Sequence, residues 1–178
     1  MFFLELYYHT VIQYDLINLF LYKTLQQVPK LKNITLNFGY QKTNLKYLIS
    51  GLLALEHLSL RKSKLTKSKR LNIFLKIKKG NPVGCKIRIT KNIMYLLYFK
   101  LRLLIFEKIK HPLIDKAHYN LKAINSLSIR LKTPLVFVEL ESQYQFFKNL
   151  PSLGITISSN AKSQNEFFFL LQSMKFFI

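Results

Sequence analysis

The chain has 178 residues and a formal net charge of +20 at pH 7, with 28 lysine and arginine residues against 8 acidic ones. This length suffices for one domain with its own hydrophobic core, and we take residues 1–178 as a single domain. So large a positive excess disfavours a compact chain without a partner, and it indicates a polyanion, either a nucleic acid or an anionic membrane. The single cysteine, Cys85, excludes an intramolecular disulfide framework and a cysteine-based zinc cluster. We expect it to be a small buried hydrophobic side chain.

Residue usage is typical of an AT-rich gene such as an organelle gene, because Lys, Phe, Ile and Asn are frequent while Gly occurs 5 times and Trp is absent. The first residues lack the Arg- and Ser-rich character of a transit peptide, so we expect synthesis inside an organelle. The most apolar run, residues 93–106, is interrupted by Lys100 and Arg102 and is shorter than a membrane span. We therefore predict no transmembrane helix.

The first third of the chain predicts a helix, a strand and a second helix. Apolar residues recur at helical spacing over residues 5–22 and again over residues 44–59. Between them, residues 31–38 alternate as in a strand, with Ile34, Leu36 and Phe38 on one face and Asn33, Thr35 and Asn37 on the other.

Residues 61–91 form a strongly basic segment, and no Asp or Glu occurs between Glu56 and Glu107. Two runs in this segment alternate as in strands, one through Ile73, Leu75 and Ile77 and the other through Val83, Cys85, Ile87 and Ile89. Gly80 and Pro82 lie between these runs and favour a turn. We predict a hairpin with one apolar face and one cationic face, entered through a lysine-rich loop.

The remaining elements mix helices with strands. We predict a third helix through Met94, Leu97 and Leu101, a strand over residues 135–140 and a short helix over residues 142–147. A last strand over residues 154–159 and a last helix over residues 164–174 follow, whereas residues 110–133 give no clear pattern. The tight hairpin favours an α+β fold, with a mostly antiparallel sheet, helices packed on one face and a long basic hairpin loop.

The sequence contains no recognisable catalytic or metal-binding motif. The eight carboxylates are widely spread, and Glu139 and Glu141, on one predicted strand face, are better explained as surface ion partners than as a Mg²⁺ site. The four histidines lack ligand spacing, and there is no dinucleotide-binding, phosphate-binding or nucleophile-elbow motif. We predict neither an enzyme nor a cofactor or metal site.

Three blocks resemble, in order and at matching spacing, the universal large-subunit ribosomal protein L-five family, whose members dock 5S rRNA. QVPKLKNITLNFG at 27–39 is similar to the family pattern QVPR-x-x-KITLN-x-G. LTKSKR at 65–70, followed by LKIKKGNPVGCK at 75–86, is similar to ITKA-x-K and FKIR-x-GYPIGCKV. LGITISSNAKS at 153–163 is similar to LDITITTTAKS, and the resemblance spans nearly the whole chain.

The resemblance implies a structural ribosomal protein in the central protuberance of the large subunit. It implies that the first strand and the polar surface of the sheet contact 5S rRNA, with Asn37 as one contact. It also implies that the hairpin loop, about residues 71–80, reaches the elbow of the P-site transfer RNA (tRNA). Other parts of the protein surface are implied to contact the small-subunit head. Neighbouring large-subunit proteins complete the expected partners.

We assign two groups of contact residues on this basis. The ribosomal RNA (rRNA) contacts, to 5S rRNA, large-subunit rRNA or both, are Asn33, Thr35, Asn37, Arg61, Lys62, Lys64, Lys67, Lys86 and Arg88. The tRNA-contact loop comprises Asn72, Phe74, Lys76, Lys78, Lys79 and Gly80. Arg61 and Arg88 replace a Gln and a Thr of the family pattern, which favours phosphate contacts over base-specific ones. Phe74 either stacks on an exposed base or covers the edge of the core.

Two functions remain after this comparison. The first is a structural constituent of the mitochondrial large ribosomal subunit, located in the matrix and encoded in the organelle. The second is a basic peripheral membrane protein. Peripheral binding of that kind needs an amphipathic helix with basic residues on its polar face. The basic residues here concentrate on a strand–turn–strand segment instead, so we favour the ribosomal function.

Overall fold

The computed structural model describes residues 3–40, 45–108 and 125–175. Its five strands form one sheet, and every pairing between neighbouring strands is antiparallel. The strands are β1 (Leu31–Gly39), β2 (Lys64–Lys67), β3 (Pro82–Ile89), β4 (Ser126–Leu131) and β5 (Leu153–Ser159). Their spatial order is β2-β3-β1-β5-β4, so the first strand of the chain lies at the centre of the sheet.

The helices connect these strands. They are α1 (Phe3–Tyr7), α2 (Gln13–Phe20), α3 (Leu45–Ser59), α4 (Asn92–Lys108), α5 (Val138–Glu141), α6 (Tyr144–Phe147) and α7 (Gln164–Ser173). A π-helical segment, Tyr8–Ile12, joins α1 to α2, and short 3₁₀ turns precede β1 and α5. The α+β class and the antiparallel sheet are therefore confirmed. Within the described residues, no helix is long and apolar enough to cross a membrane.

Period-two alternation places one side of every long strand in the core. Leu36 pairs with Ile87 on one side and with Ile155 on the other, and Ile155 pairs with Ile129. All four side chains are buried. The apolar stripes of the helices pack against this side, because each helix must also remove its own apolar face from water. The opposite side of the sheet is polar and is not covered by a helix within the described residues.

The predicted helices are present, with differences in the faces that they bury. The first extends over three helical segments from Phe3 to Phe20, and the π-helical part was not predicted. In α3, Leu48 and Leu55 are buried as expected, but Leu45 and Ile49 are exposed. Gly51 makes a close contact of this helix with Tyr40 instead. A Cβ added to Gly51 would lie 2.1 Å from the hydroxyl oxygen of Tyr40.

Two predicted strands are wrong. The run through Ile73, Leu75 and Ile77 is a turn in the β2–β3 loop, closed by a bridge between Asn72 and Ile77. This alternating run does not pair with a neighbouring strand, and Ile73 is exposed. Residues 135–140 form the 3₁₀ turn Pro134–Val136 and the start of α5. Proline favours the first turn of a helix, and the buried pair Phe137 and Leu140 has helical rather than period-two spacing.

Two strands were not predicted. Strand β2 is only four residues long and is the partner of β3 in the hairpin, so the hairpin exists but its loop covers residues 68–81. Strand β4 lies within the stretch 110–133 that gave no pattern, and residues 109–124 lie outside the described part of the chain.

Cys85 is a buried residue of β3, as predicted. Its thiol donates to the carbonyl oxygen of Leu48 over 3.3 Å and so joins β3 to α3. Burial raises the pKa of the thiol to about 11, because the charged thiolate would lose its hydration there. Cys85 therefore serves as a packing residue between the sheet and α3.

Candidate nucleic-acid interface

The uncovered side of the sheet carries two rows of polar side chains that run across the strands. One row, here called the cationic row, consists of Lys64, Lys86, Asn37, Gly154 and Arg130. The other, here called the hydroxyl row, consists of Arg88, Thr35, Thr156 and Ser128. Because strands lie about 4.8 Å apart, the five positions of the cationic row span about 19 Å. Together with Asn33, Ser158 and Ser126, which pair with one another in a further row, they form the open face of the sheet.

None of the residues in the five described strands is an aspartate or a glutamate, so these strands contribute a positive field over the open face. The described carboxylates lie elsewhere. Glu139 of α5 forms an ion pair with Lys100 of α4. Partial burial raises the pKa of this carboxyl, but the hydrogen bond from Lys100, a backbone hydrogen bond and the positive charge of Lys100 together outweigh that effect, so the net pKa is below the usual value. The predicted role of Glu139 as an ion partner is thus confirmed, on a helix rather than a strand.

An open groove of about 650 Å³ lies beside the edge of the sheet at β2 and β3. It is lined by Arg61, Lys62, Lys64, Leu65, Thr66, Lys86, Ile87 and Arg88. Five of these eight residues are cationic, and all five were among the predicted rRNA contacts. The groove therefore brings together side chains separated by more than twenty residues, and it is suited to an anion such as a phosphate.

The connection from α3 to β2 holds one wall of this groove. The backbone N–H of Ser63 donates to Glu56 Oε1 over 3.0 Å, and its hydroxyl donates to the carbonyl oxygen of Leu52 over 3.3 Å. Leu60 ends α3 in the left-handed conformation, with φ 55°. These contacts fix the turn, so Arg61 and Lys62 leave it next to the first residue of β2.

The polar residues of β1 occupy different environments. Asn37 is exposed and Thr35 is half-buried, whereas Asn33 is buried with 7% of its surface accessible. The hydroxyl of Thr35 donates to Asn33 Oδ1 over 3.3 Å. Asn33 lies next to a register shift between β1 and β5, and its side chain is engaged by Thr35, whereas Asn37 presents the accessible amide.

The loop between β2 and β3 projects basic and apolar side chains into solvent. Two backbone hydrogen bonds between Asn72 and Ile77, of 2.9 and 3.0 Å, close its central turn, and Ile77 is buried beneath it. Phe74 is fully exposed, so it does not cover the edge of the core. Lys76, Lys78 and Lys79 are exposed, and Gly80 adopts a φ of 91° that favours glycine. Lys67, the last residue of β2 before the loop, is also exposed.

Residues of β4 and β5 on the open face were not predicted as contacts. They are Ser126, Ser128, Arg130, Thr156 and Ser158. The hydroxyl oxygens of Ser128 and Thr156 lie 3.2 Å apart. The signal was present, since Ser126, Ser128 and Arg130 alternate with Leu127, Ile129 and Leu131 in the same way as the polar residues of β1 alternate with its apolar ones.

Comparison with known proteins identifies the family of this chain. No protein-family model matches it. The large ribosomal subunit protein uL5m of Reclinomonas americana is 33% identical over 168 residues, which cover 92% of this chain and 90% of the relative. This chain belongs to the uL5 family of large ribosomal subunit proteins.

Bacterial uL5 proteins give similar matches. That of Wigglesworthia glossinidia brevipalpis is 32% identical over 164 residues, covering 89% of each chain. That of Blochmanniella floridana is 28% identical over 175 residues, covering 96% of this chain and 89% of the relative. The family resemblance found in the sequence is confirmed. As a uL5-family member, the chain is a structural protein of the ribosome and not an enzyme.

Proposed function

We propose that this uL5-family protein binds ribosomal RNA in the central protuberance of the large subunit, with the open face of its sheet against the RNA. The observation that carries this proposal is the open face itself, which presents lysine, arginine, amide and hydroxyl groups and no strand carboxylate. Lysine and arginine supply most of the affinity for the phosphate backbone. The lack of carboxylates in the described strands avoids repulsion from those phosphates.

The mixture of groups favours RNA over other polyanions. The hydroxyls of Thr35, Thr156 and Ser128 lie in one row with Arg88 at its end and can hydrogen-bond ribose 2′-OH groups. The groove beside β2 and β3 supplies five cations for phosphates. Asn37 supplies an exposed amide that can read a base edge or a sugar. We infer that 5S rRNA, where the ribosome contains one, and large-subunit rRNA lie along this face.

The loop between β2 and β3 supports the finer part of the proposal. It connects the edge strand β2 to β3, and its exposed lysines Lys76, Lys78 and Lys79 follow closely in the sequence after a fully exposed phenylalanine, Phe74. An aromatic ring flanked by cations suits an unpaired base and its neighbouring phosphates. We therefore assign this loop to the P-site tRNA, with the small-subunit head as a further neighbour.

We place the protein in the mitochondrial ribosome, encoded in the organelle. The AT-rich composition and the match to the uL5m protein of Reclinomonas americana support this setting. The alternative, a peripheral membrane protein, has less support. Such binding requires the basic residues to flank the apolar face of a helix, whereas the groove cations lie on strands and on the turn that precedes them.

Ultraviolet crosslinking of purified mitochondrial large subunits tests this proposal. After immunoprecipitation of the protein, the attached RNA is sequenced and the crosslinked peptides are identified. We expect 5S rRNA or large-subunit rRNA attached to peptides from β3 and β5, with few crosslinks to α4, which packs on the opposite side of the sheet. Crosslinks concentrated on the helices would overturn the proposed orientation, and absence of the protein from the subunits would overturn the mitochondrial assignment.

A further inference from the structure

Gly154 lies on the open face, and its lack of a side chain leaves space for a neighbouring side chain. It lies in β5 directly opposite Asn37 of β1 and, on its other side, opposite Arg130 of β4. A Cβ placed on Gly154 would lie 2.4 Å from Asn37 Oδ1, 3.1 Å from its Cγ and 3.2 Å from its Nδ2. The carboxamide of Asn37 therefore lies across the neighbouring strand, in the space that any larger residue at position 154 would fill.

The backbone does not require glycine here. Gly80 is the glycine with a positive φ, while Gly154 lies in regular strand. The other close glycines serve packing: Gly84 approaches the backbone oxygen of Phe38, and Gly51 approaches the half-buried side chain of Tyr40. At Gly154 the approaching group is the end of an exposed side chain, which can rotate away. An added methyl group would therefore cost the fold little and would turn the amide of Asn37.

We propose that Gly154 is a positioning residue for RNA binding, because its lack of a side chain holds the Asn37 carboxamide across β5. This inference rests on the proposed function, since it concerns a contact that Asn37 makes with rRNA. The orientation directs the amide toward the Arg130 end of the cationic row and away from Lys86. The Asn37 amide thus lies between β1 and β5, where it can hydrogen-bond to a nucleotide bound beside Arg130.

A double-mutant cycle on the full-length chain tests this role. The variants are Asn37→Ala, Gly154→Ala and the double variant, with Gly39→Ala as the matched control, because a Cβ on Gly39 meets nothing within 4 Å. Affinity for a fluorescently labelled 5S rRNA transcript is measured by anisotropy at one fixed salt concentration. Circular dichroism melting of each variant reports the fold.

We expect Asn37→Ala and Gly154→Ala each to weaken binding by about 3- to 10-fold, the effect of one lost hydrogen bond. The double variant is expected to bind no more weakly than Asn37→Ala, because two changes that remove the same interaction are not additive. Gly39→Ala should bind as the parent chain does. The melting temperature of Gly154→Ala should change by less than about 2 °C.

Four outcomes would overturn the positioning role. Wild-type binding by Gly154→Ala, with weakened binding by Asn37→Ala, would refute it while leaving the proposed function intact. Additive losses in the double variant would show that glycine acts independently of Asn37, and a large loss of melting temperature would show that it is needed for folding. Unchanged binding by Asn37→Ala would remove Asn37 from the proposed RNA contacts and the positioning role with it.

Discussion

At the scale of single residues, two leucines hold a backbone conformation that leucine disfavours. Leu21 follows α2 with φ 48°, and Leu60 follows α3 with φ 55°. Both side chains are exposed, at 82% and 78%, so neither gains burial that would offset the strain. Helices commonly end in this left-handed conformation, which glycine adopts without a clash between Cβ and the backbone.

We therefore predict that Leu60→Gly stabilises the chain. Relief of the left-handed strain should outweigh the greater flexibility of glycine in the unfolded state, for a net gain of about 0.5–1 kcal/mol. The backbone hydrogen bond from Leu60 N to the carbonyl oxygen of Glu56 needs no side chain and should persist. Urea denaturation measures the change. Leu53→Gly, at an exposed position inside α3, is the control and should be destabilising by about 1 kcal/mol. A loss of stability in both variants would contradict this account of Leu60.

At the scale of secondary-structure elements, the sequence predicts those strands and helices in which apolar residues recur with a clear period and whose ends are clear. Strand β5 alternates over its full length and β1 from Ile34 onward, and both were predicted within one or two residues. Strand β2 was not, because four residues at the edge of a sheet give too short a pattern, and its Leu65 remains partly exposed. Alternation around Ile73 misled the prediction because period two indicates a strand only where a neighbouring strand completes it.

The same reasoning explains which parts of the candidate site could be predicted. Its cations on β2 and β3 were found because they cluster in the sequence. Arg130 and Thr156 were not, because alternation marks the polar side of their own strands but does not show that these strands join β1 in the sheet. Which strands become neighbours depends on packing over the whole chain, and local periodicity carries no information about it.

The loop between β2 and β3 allows charge to be removed without changing the core. We predict that the triple variant with Lys76, Lys78 and Lys79 replaced by alanine keeps its fold, because all three side chains are exposed. Its affinity for tRNA or rRNA should fall, and the salt slope of log affinity should decrease by about one for each lysine that contacts a phosphate. Circular dichroism and filter binding measure the two effects. Ile77→Ala is the contrasting control, since Ile77 is the buried anchor of the turn. Unfolding of the lysine variant would mean that these lysines are structural.

At the scale of the whole molecule, the charge of +20 should dominate binding. The groove alone gathers five cations, and Arg130 lies at the far end of the cationic row. If about six phosphates are neutralised, affinity for rRNA should drop roughly 10³-fold or more between about 50 and 200 mM salt. Anisotropy titrations at several salt concentrations measure this slope. A nearly flat response would mean that phosphate contacts are not the main source of affinity.

The central position of β1 also has a consequence for synthesis. This strand leaves the ribosome early, yet one of its two neighbours, β5, is among the last elements to be made. The contacts that fix its start, between Lys30 and Asn160, join residues 130 positions apart. Until those late residues emerge, half of the backbone groups of β1 have no strand partner, and the open face consists only of β2, β3 and β1. An RNA that requires the full width of this face would therefore distinguish finished chains from unfinished ones.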